Sequence, residues 1–181
     1  MDRLPFQVTT GGALYDGIKT LPVAVLLDNV RSMYNVGAFF RTADAAAVEK
    51  LYLCGITGYP PKKEIAKTAL GAELTVRWEH AEDPLAVAES LRARGYELAA
   101  IETSVHAVDL FDWSPRWPVC LVFGHEVDGV RQDVAALCDT HVRIPMLGTK
   151  HSLNVATAAG VVIYELLRKY RELGRGTMKR A

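Results

Sequence analysis

The sequence lacks a long hydrophobic run and an excess of charge of either sign, and each shortage excludes a class of protein. No apolar run approaches the roughly 18 residues of a membrane span, and the N-terminal stretch "MDRLPFQVTTGGALYDG" lacks the basic-then-apolar pattern of a secretion signal. The formal net charge is +0, so the chain as a whole has none of the positive excess typical of nucleic-acid binding. These shortages predict a cytoplasmic protein without a membrane segment.

Cysteine is scarce, and the glycine-rich loop of dinucleotide-binding proteins is missing. Cys54, Cys120 and Cys138 are far apart and lie in apolar runs, with no CxxC or Cys/His spacing. We therefore interpret them as buried, reduced thiols. The loop after the apolar run at 23–28 contains only Gly37 instead of a GxGxxG pattern, which disfavours a nucleotide-dependent oxidoreductase.

Apolar runs of strand length alternate with helical patterns along the whole chain. This βα alternation predicts an α/β protein with a mostly parallel sheet covered by helices on both faces. The 181 residues suffice for one full hydrophobic core, and no linker or repeat divides them, so we expect a single domain over 1–181. The predicted strands cover 23–28, 50–55, 73–79, 96–103, 118–124 and 140–146, and the predicted helices cover 35–48, 61–70, 83–95, 131–138 and 152–173.

Ligands of parallel α/β sheets gather beyond the carboxyl ends of the strands, which directs attention to the loops there. The first loop, "DNVRSMYNVGAFFRTADAA", offers Asn35 as the N-cap of a helix. Arg41 follows among apolar and small residues. It is either a surface residue with a buried stem or a guanidinium directed at a specific anion, and the pattern alone favours neither.

The second loop, "FGHEVDGV", places two acidic residues between glycines. Glu126 and Asp128 are either solvated acids of a turn or carboxylates held in a crevice to orient a partner. Gly124 allows a close backbone approach. A metal bound by His125, Glu126 and His151 lacks any recurrent ligand spacing, so we predict no metal site.

The third stretch, "RIPMLGTKHSLNVATAAG", joins a strand to a helix of unusually small residues. Ser152 is a natural N-cap, whereas Asn154 is a mediocre residue inside a helix. Gly160 costs about 1 kcal/mol relative to Ala in an exposed helix. The small side chains at 156–160 therefore predict burial against a neighbouring backbone or ligand.

Basic residues are concentrated at the C-terminal end of the chain. From Arg168 to Ala181 they face a single acid, Glu172. The segment is either a solvated, fraying terminus or a tail that contacts phosphate. Its basic members are Arg168, Lys169, Arg171, Arg175, Lys179 and Arg180.

The three loops together resemble the motifs of the SpoU/TrmH family of RNA 2′-O-methyltransferases in the SPOUT superfamily. "NVGAFFRTADA" is similar to the first motif, "FGHEVDGV" to the second and "IPMLGTKHSLNVATAAGVVIYE" to the third, and "KTALGAE" matches a lesser segment. The motifs stand in family order across about residues 23–170. Their combination is far more specific than any one of them alone.

The resemblance implies a C-terminal trefoil knot, S-adenosyl-L-methionine as cofactor and a homodimer. It further implies methylation of a ribose 2′-hydroxyl in RNA, with tRNA favoured over rRNA. The alternatives are an rRNA methyltransferase and a non-catalytic RNA-binding protein of the same fold. The implied cofactor-binding residues are Thr103, Gly124, Ile144, Met146 and Leu153, and the implied catalytic residues are Asn35, Arg41, Glu126, Ser152 and Asn154.

Arg41 corresponds to the residue that the family uses to activate the ribose hydroxyl. A guanidinium, with a pKa above about 12, is a poor base at neutral pH. We therefore expect Arg41 to contact the substrate phosphate and polarise the hydroxyl. RNA binding is expected to use basic residues on one face of a dimer, namely Lys62, Lys63, Lys67 and the tail.

Overall fold

The computed structural model describes residues 18–178, with side chains described up to residue 173. Its strands are β1 (Leu21–Asp28), β2 (Val48–Cys54), β3 (Trp78–Ala81), β4 (Glu97–Ile101), β5 (Val108–Asp109), β6 (Val119–Phe123) and β7 (Thr140–Arg143). Its helices are α1 (Met33–Ala45), α2 (Lys63–Ala69), α3 (Pro84–Ala93), α4 (Gln132–Leu137) and α5 (Val155–Met178), and a 3-10 turn covers Ala72–Leu74.

Within residues 18–178 the strands form one seven-stranded sheet in the order β3-β2-β1-β6-β4-β7-β5. Every neighbouring pair of these strands is parallel. Because all the strands point the same way, their carboxyl ends and the loops that follow share one edge of the sheet. The predicted parallel α/β sheet is confirmed.

Helices cover both faces of the sheet and enclose two apolar layers. The larger layer lies under α1, α2 and α5 and contains the edge-to-face pair Phe39 and Phe123, whose ring centroids are 5.1 Å apart. The smaller layer lies under α3 and α4 around Leu91 and Val134. Strand β1 is buried on both faces, as its unbroken apolar run predicts.

The helix boundaries confirm one predicted cap and correct others. Asp83 caps α3 by accepting a hydrogen bond from the Leu85 N–H, and Pro84 occupies the first turn, as predicted. Helix α1 is capped by Ser32, whose Oγ accepts from the Asn35 N–H, so Asn35 lies inside the first turn. Helix α2 begins at Lys63, after the predicted start at 61.

Two strands differ from the prediction. The run 73–79 begins as a 3-10 turn, and pairing starts only at Trp78. The pair Val108–Asp109, inside the segment predicted to be irregular, forms the edge strand β5. Both strands lie at an edge of the sheet, where few residues pair and the periodic signal in the sequence is short.

The prediction of buried thiols is confirmed fully for two of the three cysteines. Cys54 and Cys120 are buried, whereas Cys138 is only half-buried, and all three are free. Burial raises the pKa of the Cys54 and Cys138 thiols to about 12 and that of Cys120 well above its ordinary value. The thiols therefore remain protonated and unreactive at neutral pH.

The described part of the basic tail is tied to the protein itself. Arg168 pairs with Glu165 and Glu172 at 2.8 and 2.7 Å. Lys169 Nζ donates to the Leu110 carbonyl at 2.7 Å and also to the carbonyls of Phe111 and Trp113. These two residues are thus engaged structurally, while the side chains of Arg175, Lys179 and Arg180 lie outside the described residues.

None of the helices between residues 18 and 178 combines the length and the apolar character needed to cross a membrane.

Candidate active site

A cavity of about 360 Å³ opens at the carboxyl edge of the sheet, beyond β4, β6 and β7. Its volume lies within the range of small-molecule sites. All five predicted cofactor-binding residues line it, and three of the five predicted catalytic residues line it as well. The first group is Thr103, Gly124, Ile144, Met146 and Leu153, and the second is Glu126, Ser152 and Asn154.

Glu126 joins the loop after β6 to the start of α1. Its Oε1 accepts hydrogen bonds from the Ser32 N–H and from Asn35 Nδ2, both at 3.0 Å, and its Oε2 accepts one from the Arg31 N–H at 3.0 Å. The carboxylate thus receives three donors, two of them N–H groups at the N-terminus of a helix. The Glu126 carboxylate is therefore held in place by these donors, whereas Asp128, whose side chain is 81% exposed, is a solvated acid of the turn.

The same contacts set the charge state of Glu126. Desolvation alone would raise the pKa of the carboxyl, but the backbone N–H donors of Arg31 and Ser32 and the Asn35 amide outweigh it. The net result is a pKa lowered from its ordinary value of 4.5. Glu126 therefore stays ionised at neutral pH and is a weak base, suited to holding a donor in place.

Asn35 connects this carboxylate to the last helix. Its Nδ2 donates to Glu126, and its Oδ1 accepts from Asn154 Nδ2 at 3.2 Å. A flipped Asn35 amide would oppose oxygen to oxygen at Glu126 and nitrogen to nitrogen at Asn154. The amide is therefore fixed in one orientation, and Glu126, Asn35 and Asn154 form a continuous hydrogen-bonded line.

Asn154, and not the predicted Ser152, caps α5. Its Oδ1 accepts from the Ala156 N–H at 2.9 Å and the Thr157 N–H at 3.3 Å, so it stands at the N-cap. Ser152 is exposed at the mouth of the cavity. Asn154 therefore has two structural tasks, because one atom caps the helix while the other positions Asn35.

Arg41 lies apart from this line. Six residues along α1 correspond to about 9 Å of rise and a rotation of about 120° away from Asn35. Arg41 is exposed in a separate groove, which it shares with Lys67 on α2 and Tyr164 on α5. The fold therefore brings together four of the five predicted catalytic residues and leaves Arg41 on another face of its helix.

Gly124 is where the backbone closes the floor of the site. A Cβ there would lie 2.1 Å from both the Gly129 carbonyl carbon and the Val130 nitrogen, so only glycine fits. The segment between forms a tight turn, with hydrogen bonds of 3.0 Å in both directions between the backbones of His125 and Gly129. His125 Nδ1 accepts from the Val127 and Asp128 N–H groups. Over residues 18–178, no three His, Cys, Asp or Glu side chains form a metal-ligand group.

Two acidic residues that sequence reasoning did not select support the site. Glu102 lines the cavity and accepts the Val130 N–H at 2.7 Å. Asp28 is buried at the end of β1 and accepts the Arg131 N–H at 2.7 Å. Burial raises the pKa of Asp28. The position of each at a strand end was the available signal, but neither lies in a recognisable pattern.

The small residues of α5 are less buried than predicted. Within 156–160 only Ala159 is fully buried, and Thr157 is exposed. A Cβ added at Gly160 would meet no atom within 4 Å. The prediction of close packing is therefore wrong for Gly160, which leaves an open notch on the helix surface between Thr157 and Tyr164.

Comparison with known proteins agrees with this geometry. Residues 22–164 match the model of the SpoU rRNA methylase family. The chain belongs to the SpoU family. A family member from Aquifex aeolicus named tRNA (guanosine(18)-2′-O)-methyltransferase is 32% identical over 83% of this chain and 71% of its own. Another, the 23S rRNA (guanosine-2′-O-)-methyltransferase RlmB of Ralstonia nicotianae, is 33% identical over 86% of this chain and 62% of its own.

A solved SpoU structure has the same fold. The SpoU methyltransferase AviRb from Streptomyces viridochromogenes, solved in complex with AdoMet, superposes with a TM-score of 0.74 at 29% identity. The match covers 84% of this chain and 58% of AviRb. This SpoU chain therefore spans about three fifths of the length of several relatives that it matches.

Proposed function

We propose that this chain is an S-adenosyl-L-methionine-dependent RNA methyltransferase that modifies a ribose 2′-hydroxyl. The observation that carries the proposal is the line from Glu126 through Asn35 to Asn154, which borders the cavity and ends at the helix cap. Relatives named as 2′-O-methyltransferases of tRNA and of rRNA support the same reaction. A protein that only binds RNA has no need for this fixed polar arrangement beside a small-molecule cavity.

The cavity fits S-adenosyl-L-methionine in size and chemistry. Ile144, Met146 and Leu153 offer apolar surface for an adenine ring, and the backbone around Gly124 offers polar groups at the floor. Glu102 contributes a carboxylate to the lining, which suits a ligand with a positive sulfonium and an ammonium group. We assign these residues, with Thr103, to cofactor binding.

The residues mainly supply alignment, because the cofactor supplies a methyl group already activated on sulfur. With the cofactor bound, methyl transfer would break one carbon–sulfur bond and form one carbon–oxygen bond, and the ribose hydroxyl would lose its proton. Neither Arg41 nor Glu126 is a suitable acceptor for that proton at neutral pH. We propose that solvent water accepts the proton, while Asn35, Ser152 and Asn154 orient the ribose for in-line attack.

Arg41 requires a second copy of the chain to act at this cavity. Its groove borders the exposed face of α5, where Val161 and Tyr164 are 36% and 50% exposed and Gly160 leaves an open notch. We propose that a homodimer forms across α1 and α5 and brings Arg41 to the partner's cavity. There the guanidinium contacts the RNA phosphate and polarises the hydroxyl.

Mixed dimers test the role of Arg41. Arg41→Ala and Asn154→Ala variants, each inactive alone, should recover up to about a quarter of wild-type activity when mixed and exchanged, because one dimer half then keeps a complete site. No recovery from mixtures that sedimentation shows to be dimeric would contradict delivery by the partner. Arg41→Lys should lose activity with unchanged cofactor affinity, since lysine lacks the planar fork.

Transfer of labelled methyl from S-adenosyl-L-methionine into total tRNA and rRNA tests the reaction itself. Label should appear on ribose, and nuclease mapping identifies the nucleotide. We propose tRNA as the substrate, following the Aquifex relative, with rRNA as the alternative that the Ralstonia relative favours. Cofactor binding by calorimetry without any methyl transfer would favour the non-catalytic RNA-binding protein.

We further propose that residues 1–181 act as one domain with the C-terminal knot implied by the family. The dense contacts of α5 with α1 and the core support a single unit. Limited proteolysis should leave β1 to α5 as one fragment, and early cleavage between β5 and β6 would contradict a single domain.

A further inference from the structure

Three aromatic rings form a cluster at the β3 edge of the sheet. Tyr59, in the loop between β2 and α2, stacks on Trp78 with ring centroids 6.2 Å apart and an interplanar angle of 28°. It also contacts the His80 ring at 4.2 Å. Trp78 and His80 are two positions apart along β3 and therefore project from the same face of the strand. The pair backs the Tyr59 ring and holds it in place.

The Tyr59 ring is presented to solvent. Tyr59 is 41% exposed, while Trp78 and His80 are half-buried beneath it. A core aromatic would be covered, and an isolated surface tyrosine would move freely. Here Trp78 and His80 pack against the ring while part of it stays accessible, which lowers the entropy lost when a planar group stacks on it.

Lysine side chains lie beside the cluster. Lys62 Nζ lies 6.0 Å from the Tyr59 ring centroid. Lys63 follows as the first residue of α2 and is exposed, and among the described residues neither lysine forms an ion pair. Of the nearby acids, Glu79 is paired with Lys50 at 2.7 Å. The patch therefore suits a polyanion that carries flat rings.

The loop that carries Tyr59 follows β2 and therefore leaves the sheet at its carboxyl edge, as do the loops that line the cavity. The Val30 N–H donates to Thr57 Oγ1 at 3.0 Å, which joins the loop after β1 to the loop that carries Tyr59. The loop after β1 continues to Arg31, whose N–H is bound by Glu126. Three strand spacings separate β6 from β3, or about 14 Å. An RNA chain crossing this edge would pass from the cavity to Tyr59 over the β1 loop.

We propose that Tyr59, backed by Trp78 and His80, is a stacking site for an unpaired base that flanks the target nucleotide, with Lys62 contacting its phosphate. This inference rests on the proposed function, since that function makes RNA the ligand. Aromatic stacking tolerates any base, because every base has a π-face, so the site adds affinity without fixing the sequence.

Direct RNA binding tests the proposal independently of catalysis. The probes are a short single-stranded RNA of mixed sequence and the same backbone with abasic positions. Tyr59→Leu keeps apolar packing on Trp78 but removes the π-face, and Tyr59→Phe keeps the face. Tyr59→Leu should weaken binding of the base-containing RNA by about five- to tenfold, the lower part of the stacking range, and leave abasic RNA unaffected. Tyr59→Phe should stay within about twofold of wild type.

Two further variants separate stacking from charge and from general exposure. Lys62→Ala should reduce the magnitude of the slope of log affinity against log salt by about one, the value expected for the loss of one phosphate contact. Tyr59→Leu should leave that slope unchanged. Phe111→Ala removes a comparably exposed ring, 58% accessible, from the loop after β5 at the opposite edge and should have no effect.

Equal affinity of wild type and Tyr59→Leu for base-containing RNA would overturn the proposal. So would a change in oligomeric state caused by Tyr59→Leu, which would identify the cluster as a protein interface. If wild type shows Tyr59-dependent RNA binding but no methyl transfer to any RNA, the proposed function fails and the stacking site stands. If wild type transfers methyl to RNA but Tyr59→Leu binds RNA as tightly as wild type, the stacking site fails and the proposed function stands.

Discussion

Replacing Asn154 by aspartate should separate the stability of the fold from the geometry of the site. Aspartate keeps an oxygen for the Ala156 and Thr157 N–H groups, so the cap of α5 survives and gains a favourable charge at the helix N-terminus. The donor to Asn35 is lost, and an oxygen now faces Asn35 Oδ1 where the 3.2 Å hydrogen bond was. Flipping the Asn35 amide does not relieve this repulsion, because its oxygen would then face the Glu126 carboxylate.

The magnitudes follow from these contacts. Asn154→Ala loses the cap and should cost about 1 kcal/mol, or about 2–4 °C in melting temperature for a chain of this size. Asn154→Asp should melt closer to wild type than Asn154→Ala does, since the retained cap and the added charge at the helix N-terminus offset part of the lost hydrogen bond. Its lost hydrogen bond and the new repulsion, together at least about 1.4 kcal/mol, should lower kcat/KM about tenfold or more.

Thermal unfolding and methyl transfer, measured on the same preparations, check both values. Wild-type kcat/KM in Asn154→Asp would show that the line from Glu126 to Asn154 is not needed for the reaction. An equal loss of stability in both variants would instead refute the assignment of Asn154 as the cap.

Three further predictions concern stability. Gly124→Ala should prevent stable folding, because its Cβ would collide with backbone atoms. Gly160→Ala should raise the melting temperature of the single chain, because it removes the cost of about 1 kcal/mol that glycine carries relative to alanine in a helix. Thermal unfolding of the two variants tests both expectations. Glu126→Gln should be less stable than wild type at neutral pH. Because the folded pKa of Glu126 is lowered, its contribution is fully present above the unfolded pKa and is lost as the pH falls through the lower folded value, so urea unfolding near pH 7 and near pH 3 should show the gap closing. Lys169→Met should cost about 2 kcal/mol in urea unfolding by leaving three carbonyls without their charged donor, while Arg168→Ala, on the surface, should change stability by less than about 1 kcal/mol.

The parallel sheet could be predicted because burial leaves a strong local signal. An unbroken apolar run such as β1 has one explanation in an α/β chain, and Asp83 followed by Pro84 marks a helix start whatever surrounds it. The edge strand β5 was not predicted, because a strand that pairs through only two residues leaves no periodic pattern in the sequence.

The site was predictable in its composition but not in its connections. The motifs identify Glu126, Asn35 and Asn154, yet their hydrogen bonds join residues 91 and 119 positions apart. Several Ser and Asn residues near each helix start can serve as caps, and the backbone geometry that selects Ser32 and Asn154 depends on those distant contacts. The orientation of Arg41, away from the cavity, likewise follows from how α1 is rotated by its packing on α2 and α5.

The separation of 119 residues between Asn35 and Asn154 also has a consequence for synthesis. A ribosome adding about 5–20 residues per second completes β1 and α1 many seconds before Asn154 emerges. During that interval Asn35 lacks the donor that fixes its amide, and the N-terminus of α5 does not yet exist. Each newly made chain therefore passes through a period in which most of the sheet can form while the line from Glu126 to Asn154 cannot, and α5 must dock before that line is complete.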